Sequence, residues 1–189
     1  RFSNQCHLPA LLATMLETNK EIVRVESACA SGSLAIKEAV IAIKSGMYKN
    51  ALVVGVEKMS ETPIEETIAI LASAASPDEI KHGATFSSLY ALMARSHFKK
   101  YGTTERHLAK ISVKNHNNAL KNKLAHFHKD ITIETVLNSR VIASPLKLYD
   151  CSAISDGAAA IILSNKDTTK EKQRTVSLIG ICHRVESIN

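Results

Sequence analysis

The residue best placed to do chemistry in this chain is Cys29, in the run Ser27-Ala28-Cys29-Ala30-Ser31-Gly32 between a β-branched segment and a helical pattern. The thiolate is the reactive form of cysteine, and unpaired N–H groups at the start of a helix stabilise negative charge there. The small neighbours Ala28, Ala30, Ser31 and Gly32 leave room for a carbonyl carbon to approach sulfur, and exposed backbone N–H groups at such a turn hydrogen-bond an oxyanion. Acyl transfer is the chemistry this pattern suits. A free cysteine is also among the most often buried residue types, used simply to fill space, so the local pattern leaves both uses open.

The elements that must position Cys29 are read from periodicity. Ile22, Val23 and Val25 predict a short strand over Glu21 to Ser27, running straight into the small-residue turn. From Ser31 the pattern is helical and apolar on more than one face, which predicts a largely buried helix stopped by Gly46. Ala51 to Val56 is a continuous apolar run of the kind covered on both faces in a parallel sheet. Upstream, Leu8, Leu11, Leu12, Met15 and Leu16 predict an amphipathic helix over His7 to Thr18, with Pro9 in its first turn. Helix and strand in alternation give an α/β core.

After Met59 the texture changes to a polar, helix-rich stretch reaching about Pro145, read as an insertion between two strands of one sheet. Within it a helix is expected over Ser88 to Tyr101, ended by Gly102, and another over Glu105 to about Leu120, after the capping candidates Thr103 and Thr104. Between Arg95 and Lys129 nine Lys or Arg face a single acid, Glu105. The core returns with a strand over Ala158 to Leu163. A charged linker over Asn165 to Arg174 then leads to a further strand over Val176 to Cys182.

Composition bounds the rest. The 189 residues are 45% hydrophobic and 22% charged, as expected of a globular protein rather than a disordered chain. No apolar run approaches the ~18 residues of a bilayer span, and no signal-peptide pattern opens the chain, so no membrane partner and a cytoplasmic setting, or an organellar one in a eukaryote, are expected. Cys6, Cys29, Cys151 and Cys182 are widely spaced with no C-x-x-C pair, which suggests neither a zinc site nor a disulfide scaffold. The net charge of +6 is accompanied by no Trp and only 4% aromatic residues, so an anionic small ligand explains it as well as nucleic acid would. The sequence starts at Arg1 and reads at once as the middle of a globular unit, like a piece of something longer.

Several stretches together resemble the thiolase family. They are Val25-Glu26-Ser27-Ala28-Cys29-Ala30-Ser31-Gly32 and Val53-Val54-Gly55-Val56-Glu57-Lys58-Met59-Ser60. His82-Gly83-Ala84-Thr85-Phe86, Tyr90 to Arg95, Lys114-Asn115-His116 and Asp150 to Ala160 are similar to its sterol carrier protein x-type branch. The resemblance implies a thiolase-like α/β fold comprising most of the N-terminal half and its helical loop domain, with the C-terminal half missing. The implied boundaries are 1–59 and 146–175 for the N-terminal core, 60–145 for the loop domain and 176–189 for the start of the C-terminal half.

The resemblance further implies that Cys29 attacks an acyl-CoA thioester to give an acyl-enzyme, in 3-ketoacyl-CoA thiolysis or the reverse Claisen condensation. It places Met59, His116, Ser152 and Ser155 around the substrate, with the basic insertion facing CoA or forming a solvated surface. No cofactor or metal is implied beyond the CoA thioester as substrate. The expected partners are acyl-CoA or CoA, a second copy through the N-terminal core, and a second chain supplying the C-terminal half. That half would carry the general base and the histidine that activates the nucleophile, so this chain alone is expected to acylate without turning over. A non-catalytic acyl-CoA-binding or degraded thiolase-like chain is the alternative, and a ketoacyl synthase a more distant one.

Overall fold

The computed structural model describes residues 6–165 and 175–185. The chain divides into two compact units, one drawn from the described residues of Arg1–Lys58 and Asp156–Ser187, the other centred on Met59–Ser155.

In the first unit, helix α1 spans Leu8–Met15, α2 Ser31–Lys44, β1 Asn50–Glu57 and β4 Gly157–Ser164. Pro9 occupies the first turn of α1, where its missing N–H costs nothing. Helix α1 ends short of the expected Thr18, because Glu17 takes a left-handed φ of 48° just past the cap. Helix α2 stops where Gly46, at φ 81°, turns the chain toward β1. Strands β1 and β4 pair antiparallel in continuous register from Asn50↔Ser164 to Glu57↔Gly157. At the far end of this ladder Lys58 Nζ meets Asp156 Oδ2 at 3.0 Å.

Four expectations for this unit need correction. Residues 21–27 and 176–182 form no strand, although both are rich in β-branched residues. A strand exists only where a neighbour completes its hydrogen-bond ladder, and the sheet holds β1 and β4 alone among the described residues. That pairing is antiparallel, not the parallel arrangement the apolar run suggested. Nor is the unit's core covered: no residue of α2 is buried, and Leu52, Val56 and Ile162 are 52%, 67% and 73% exposed. The apolar pattern predicts burial, but among the described residues α2 packs mainly against β1, β4 and the turn before it.

The second unit contains α3 Ile64–Ala72, α4 Pro77–Lys81, α5 Phe86–Tyr101, α6 Glu105–Ala119, α7 Ile133–Leu137, and a small antiparallel pair of β2 Val141–Ala143 and β3 Leu146–Lys147. The long helices end where local chemistry says they should. Thr85 Oγ1 accepts from Ser88 N–H at 3.2 Å to start α5, and Gly102, at φ 67°, closes it. Thr104 precedes α6, its N–H donating to His107 Nδ1 at 3.1 Å.

Ala109, Ile131 and Val136 form the core, with Val113, Ile133, Leu137 and Tyr149 packed on it. Lys147 is threaded beneath, its Nζ 2.7 Å from Glu105 Oε2 and donating to the last-turn carbonyl of Leu137. Asp150 ties the segment after β3 to α6, accepting from Ser112 Oγ at 3.4 Å and from Lys147 N–H at 2.9 Å. No helix among the described residues is long and apolar enough to cross a membrane.

Candidate active site

Cys29 sits in a single 3-10 turn, Ala28–Ala30, directly ahead of α2, and its side chain is exposed. The backbone around it is unusual. Ala28 has φ 45°, in the left-handed region that a residue with a Cβ enters at a cost of roughly 1–2 kcal/mol. Three local hydrogen bonds hold it there. Glu26 Oε1 accepts from Ala28 N–H at 2.8 Å, Ser31 Oγ accepts from Ser27 N–H at 2.8 Å, and the same hydroxyl donates to Ala28 O at 2.7 Å. Ala30 N–H closes the turn on Ser27 O at 2.9 Å.

The chain thus bends sharply just before the sulfur, as at a nucleophile elbow, and presents it among side chains no larger than a methyl or hydroxymethyl. What the turn does chemically is offer an accessible thiol at the N-terminal end of α2. Outside the turn, the Tyr48 hydroxyl hydrogen-bonds the Glu21 carboxylate, and that acceptor is the main reason the Tyr48 phenol titrates above its ordinary value.

The remaining predicted site residues belong to the second unit. Met59 is half-buried, and its carbonyl accepts from Thr62 N–H at 3.1 Å in the turn before α3. Ser152 is exposed. His116, near the end of α6, donates from Nδ1 to the Lys129 carbonyl at 3.1 Å; a carbonyl only accepts, so Nδ1 carries the proton. Its ring lies parallel to Phe127 at 6.5 Å and 8° and meets Tyr149 edge-on at 5.8 Å. Ser155 Oγ is 2.5 Å from His126 Nδ1, and His126 packs on Phe127 with ring centroids 4.3 Å apart. His116 and Ser155, far apart in sequence, are therefore joined through Phe127 and His126.

Sequence reasoning missed His126. Its position between two apolar residues, Ala125 and Phe127, carries no periodic or motif signal.

A cavity of about 220 Å³ is lined by Asn115, His116, Ala119, Ala125, His126 and Phe127. A second, of about 350 Å³, lies among Glu79, His82, Gly83, Ala84, Ser88, Leu89 and Leu92. The Glu79 carboxyl titrates below its ordinary 4.5 because the backbone and side chain of Ser76 hydrogen-bond it. Cys151, by contrast, is half-buried; burial first and the Asp150 charge second push its thiol up, against a weaker lowering by Ser87. No group of three or more His, Cys, Asp or Glu among the described residues is arranged to hold a metal ion.

The family described as Thiolase, N-terminal domain matches residues 4–167. An acetyl-CoA acetyltransferase of Methanothermobacter thermautotrophicus is 45% identical over 171 residues, covering 90% of this chain and 44% of that protein. Sterol carrier protein 2 of Bos taurus is 34% identical over 157 residues, covering 79% of this chain and 29% of the other. The solved Ltp2-ChsH2(DUF35) aldolase superposes with a TM-score of 0.63 at 20% identity, covering 88% of this chain and 44% of that one, and so shares the fold. The chain thus spans less than half the length of these relatives, and it belongs to the thiolase family, matching its N-terminal domain.

Proposed function

We propose that this chain carries the nucleophile of a thiolase-type acyltransferase and that Cys29 is that nucleophile. The observation that carries the reading is the exposed sulfur in a strained, hydrogen-bonded turn at the head of α2, in a chain 45% identical to an acetyl-CoA acetyltransferase. The Cys29 thiolate adds to the thioester carbonyl carbon, and the carbonyl π electrons move onto oxygen. The tetrahedral adduct then collapses, breaking the bond to the CoA sulfur; CoA leaves as thiolate and takes a proton from solvent. The product is an S-acyl cysteine ready for a second thiol or carbon nucleophile.

Met59, His116, Ser152 and Ser155 are the side chains we assign to the substrate. Condensation also needs a base for the α-proton, which we assign to the part of the protein that these residues do not span. The exposed apolar side chains of β1 and β4 support an arrangement in which another polypeptide surface, a second copy or the complementary half, covers the first unit.

Incubation with acetyl-CoA followed by intact mass measurement tests this. An acetyl increment that disappears in Cys29→Ala is the expected result. Binding of acetyl-CoA without any increment would instead mark an acyl-CoA-binding chain with no covalent chemistry.

A further inference from the structure

A peptide unit is a rigid plane, so the backbone at any residue is set by how the planes before and after its Cα are held. At Ala28 the two planes are held unequally. In the plane that follows, Ala28 O accepts twice, from the Ser31 hydroxyl at 2.7 Å and from the Ser31 N–H. In the plane that precedes, Ser27 O accepts from Ala30 N–H at 2.9 Å, while the Ala28 N–H itself donates to Glu26 Oε1 at 2.8 Å. Of these partners Glu26 alone stands before the turn, and it alone can carry a full charge. Its carboxylate has no other hydrogen bond or ion pair among the described residues.

The plane after Ala28 is shared with the sulfur-bearing residue, because its carbonyl is Ala28 O and its N–H is that of Cys29. Rotation about the Ala28 N–Cα bond therefore swings the Cys29 backbone and carries the thiol with it. Alanine prefers negative φ, so the value of 45° at Ala28 persists only while the surrounding bonds hold it. The turn is in this sense a two-state element, left-handed at Ala28 or relaxed. The population of the first state scales the rate of any reaction that needs the sulfur where it now stands.

We propose that Glu26 is a positioning residue for Cys29: its carboxylate holds the Ala28 N–H, keeps Ala28 left-handed and, through the shared peptide plane, sets where the sulfur stands. The kinetic consequence rests on the acyl-transfer reading above; the backbone consequence does not.

The test uses the full chain with Glu26→Ala, Glu26→Gln, and Glu26→Ala combined with Ala28→Gly. Single-turnover acetylation of Cys29 is followed by intact mass over a range of acetyl-CoA concentrations. On labelled protein, the Cα and Cβ chemical shifts of Ala28 distinguish positive from negative φ. Glu26→Ala is expected to lower the saturating rate constant about 5-fold, the worth of one hydrogen bond, with the half-saturating concentration unchanged and the Ala28 shifts moved toward negative φ. Glu26→Gln keeps the acceptor, so its rate should stay within about 2-fold of wild type and its Ala28 shifts should not move. Adding Ala28→Gly to Glu26→Ala should recover the rate to within about 2-fold of wild type, since glycine enters positive φ without steric cost. A carboxylate acting directly on the substrate would not be rescued in that way. Ala28 shifts unchanged in Glu26→Ala, or a rate loss that Ala28→Gly does not recover, overturns the proposal. Absence of acetylation in the wild-type chain overturns the acyl-transfer reading instead, and the Ala28 shifts then decide the role of Glu26 by themselves.

Discussion

The two units solve the problem of holding a functional side chain in opposite ways. The second holds all nine buried residues among those described, with Ala109, Ile131 and Val136 packed together as a core, and α5 and α7 are capped by their own N-terminal side chains. In the first, no described residue is buried. There Cys29 is placed by a lattice of short-range hydrogen bonds from Glu26 and Ser31 rather than by packing. Packing makes a unit stable by itself, whereas local hydrogen bonding fixes a geometry without supplying stability. Cys29 therefore stands on the part of the molecule that most needs a covering surface.

The largest test of this contrast is a pair of truncations. Val136→Ala, at a side chain 1% exposed, should cost the second unit about 2 kcal/mol by urea denaturation. Ile162→Ala, at one 73% exposed, should change stability by no more than about 0.5 kcal/mol. Equal costs would mean that the β1–β4 face is covered in solution, and the contrast would break.

Next in size is Ser31→Ala, which removes two of the three bonds holding Ala28 at positive φ. It should lower the rate of Cys29 acetylation by about tenfold, since small misplacement of a reacting atom is costly, while leaving unfolding of the second unit unchanged. A parallel loss of overall stability would show that the turn is load-sharing with the fold.

The thiols give a third comparison. Cys29 is exposed, while Cys151 is half-buried beside Asp150 and its thiol is pushed up. Brief iodoacetamide treatment with peptide mapping should mark Cys29 well before Cys151, and the reverse order would contradict the geometry.

The smallest effect is on acidity. Glu79 titrates below 4.5 in the folded chain through its bonds to Ser76, so its contribution to α4 is present above the unfolded value and lost as pH falls through the lowered one. Following the Ser76 and Glu79 amide resonances through an acid titration should show this loss, and Glu79→Gln should flatten it.

How much of this was legible beforehand depended on whether the cause was local. Gly46, Gly102 and Thr104 marked helix ends correctly, because a cap is decided within a few residues. The turn carrying Cys29 was legible for the same reason, although nothing in the alanine at position 28 announces a left-handed backbone. The segments 21–27 and 176–182 were misread because a β-branched run shows only strand competence, and the partner lies elsewhere in the chain or outside it. Helix α2 was read as buried on the same ground: apolar faces show what a surface requires, and its neighbours decide whether that is met. His126 was invisible since its meaning comes from Ser155, 29 residues away. The charged linker expected over 165–174 lies outside the described residues except for Asn165, whose N–H donates to Lys49 O at 2.9 Å.

The pairing of Glu57 with Gly157 has a consequence for how such a protein changes over time. The polypeptide leaves β1 and rejoins β4 at directly opposed positions, with Lys58 and Asp156 clasped across the gap. A two-residue β-turn would bridge that opening equally well. Everything from Met59 to Ser155 is therefore an inset with a single doorway, which can lengthen or shrink without a change to the ladder behind it.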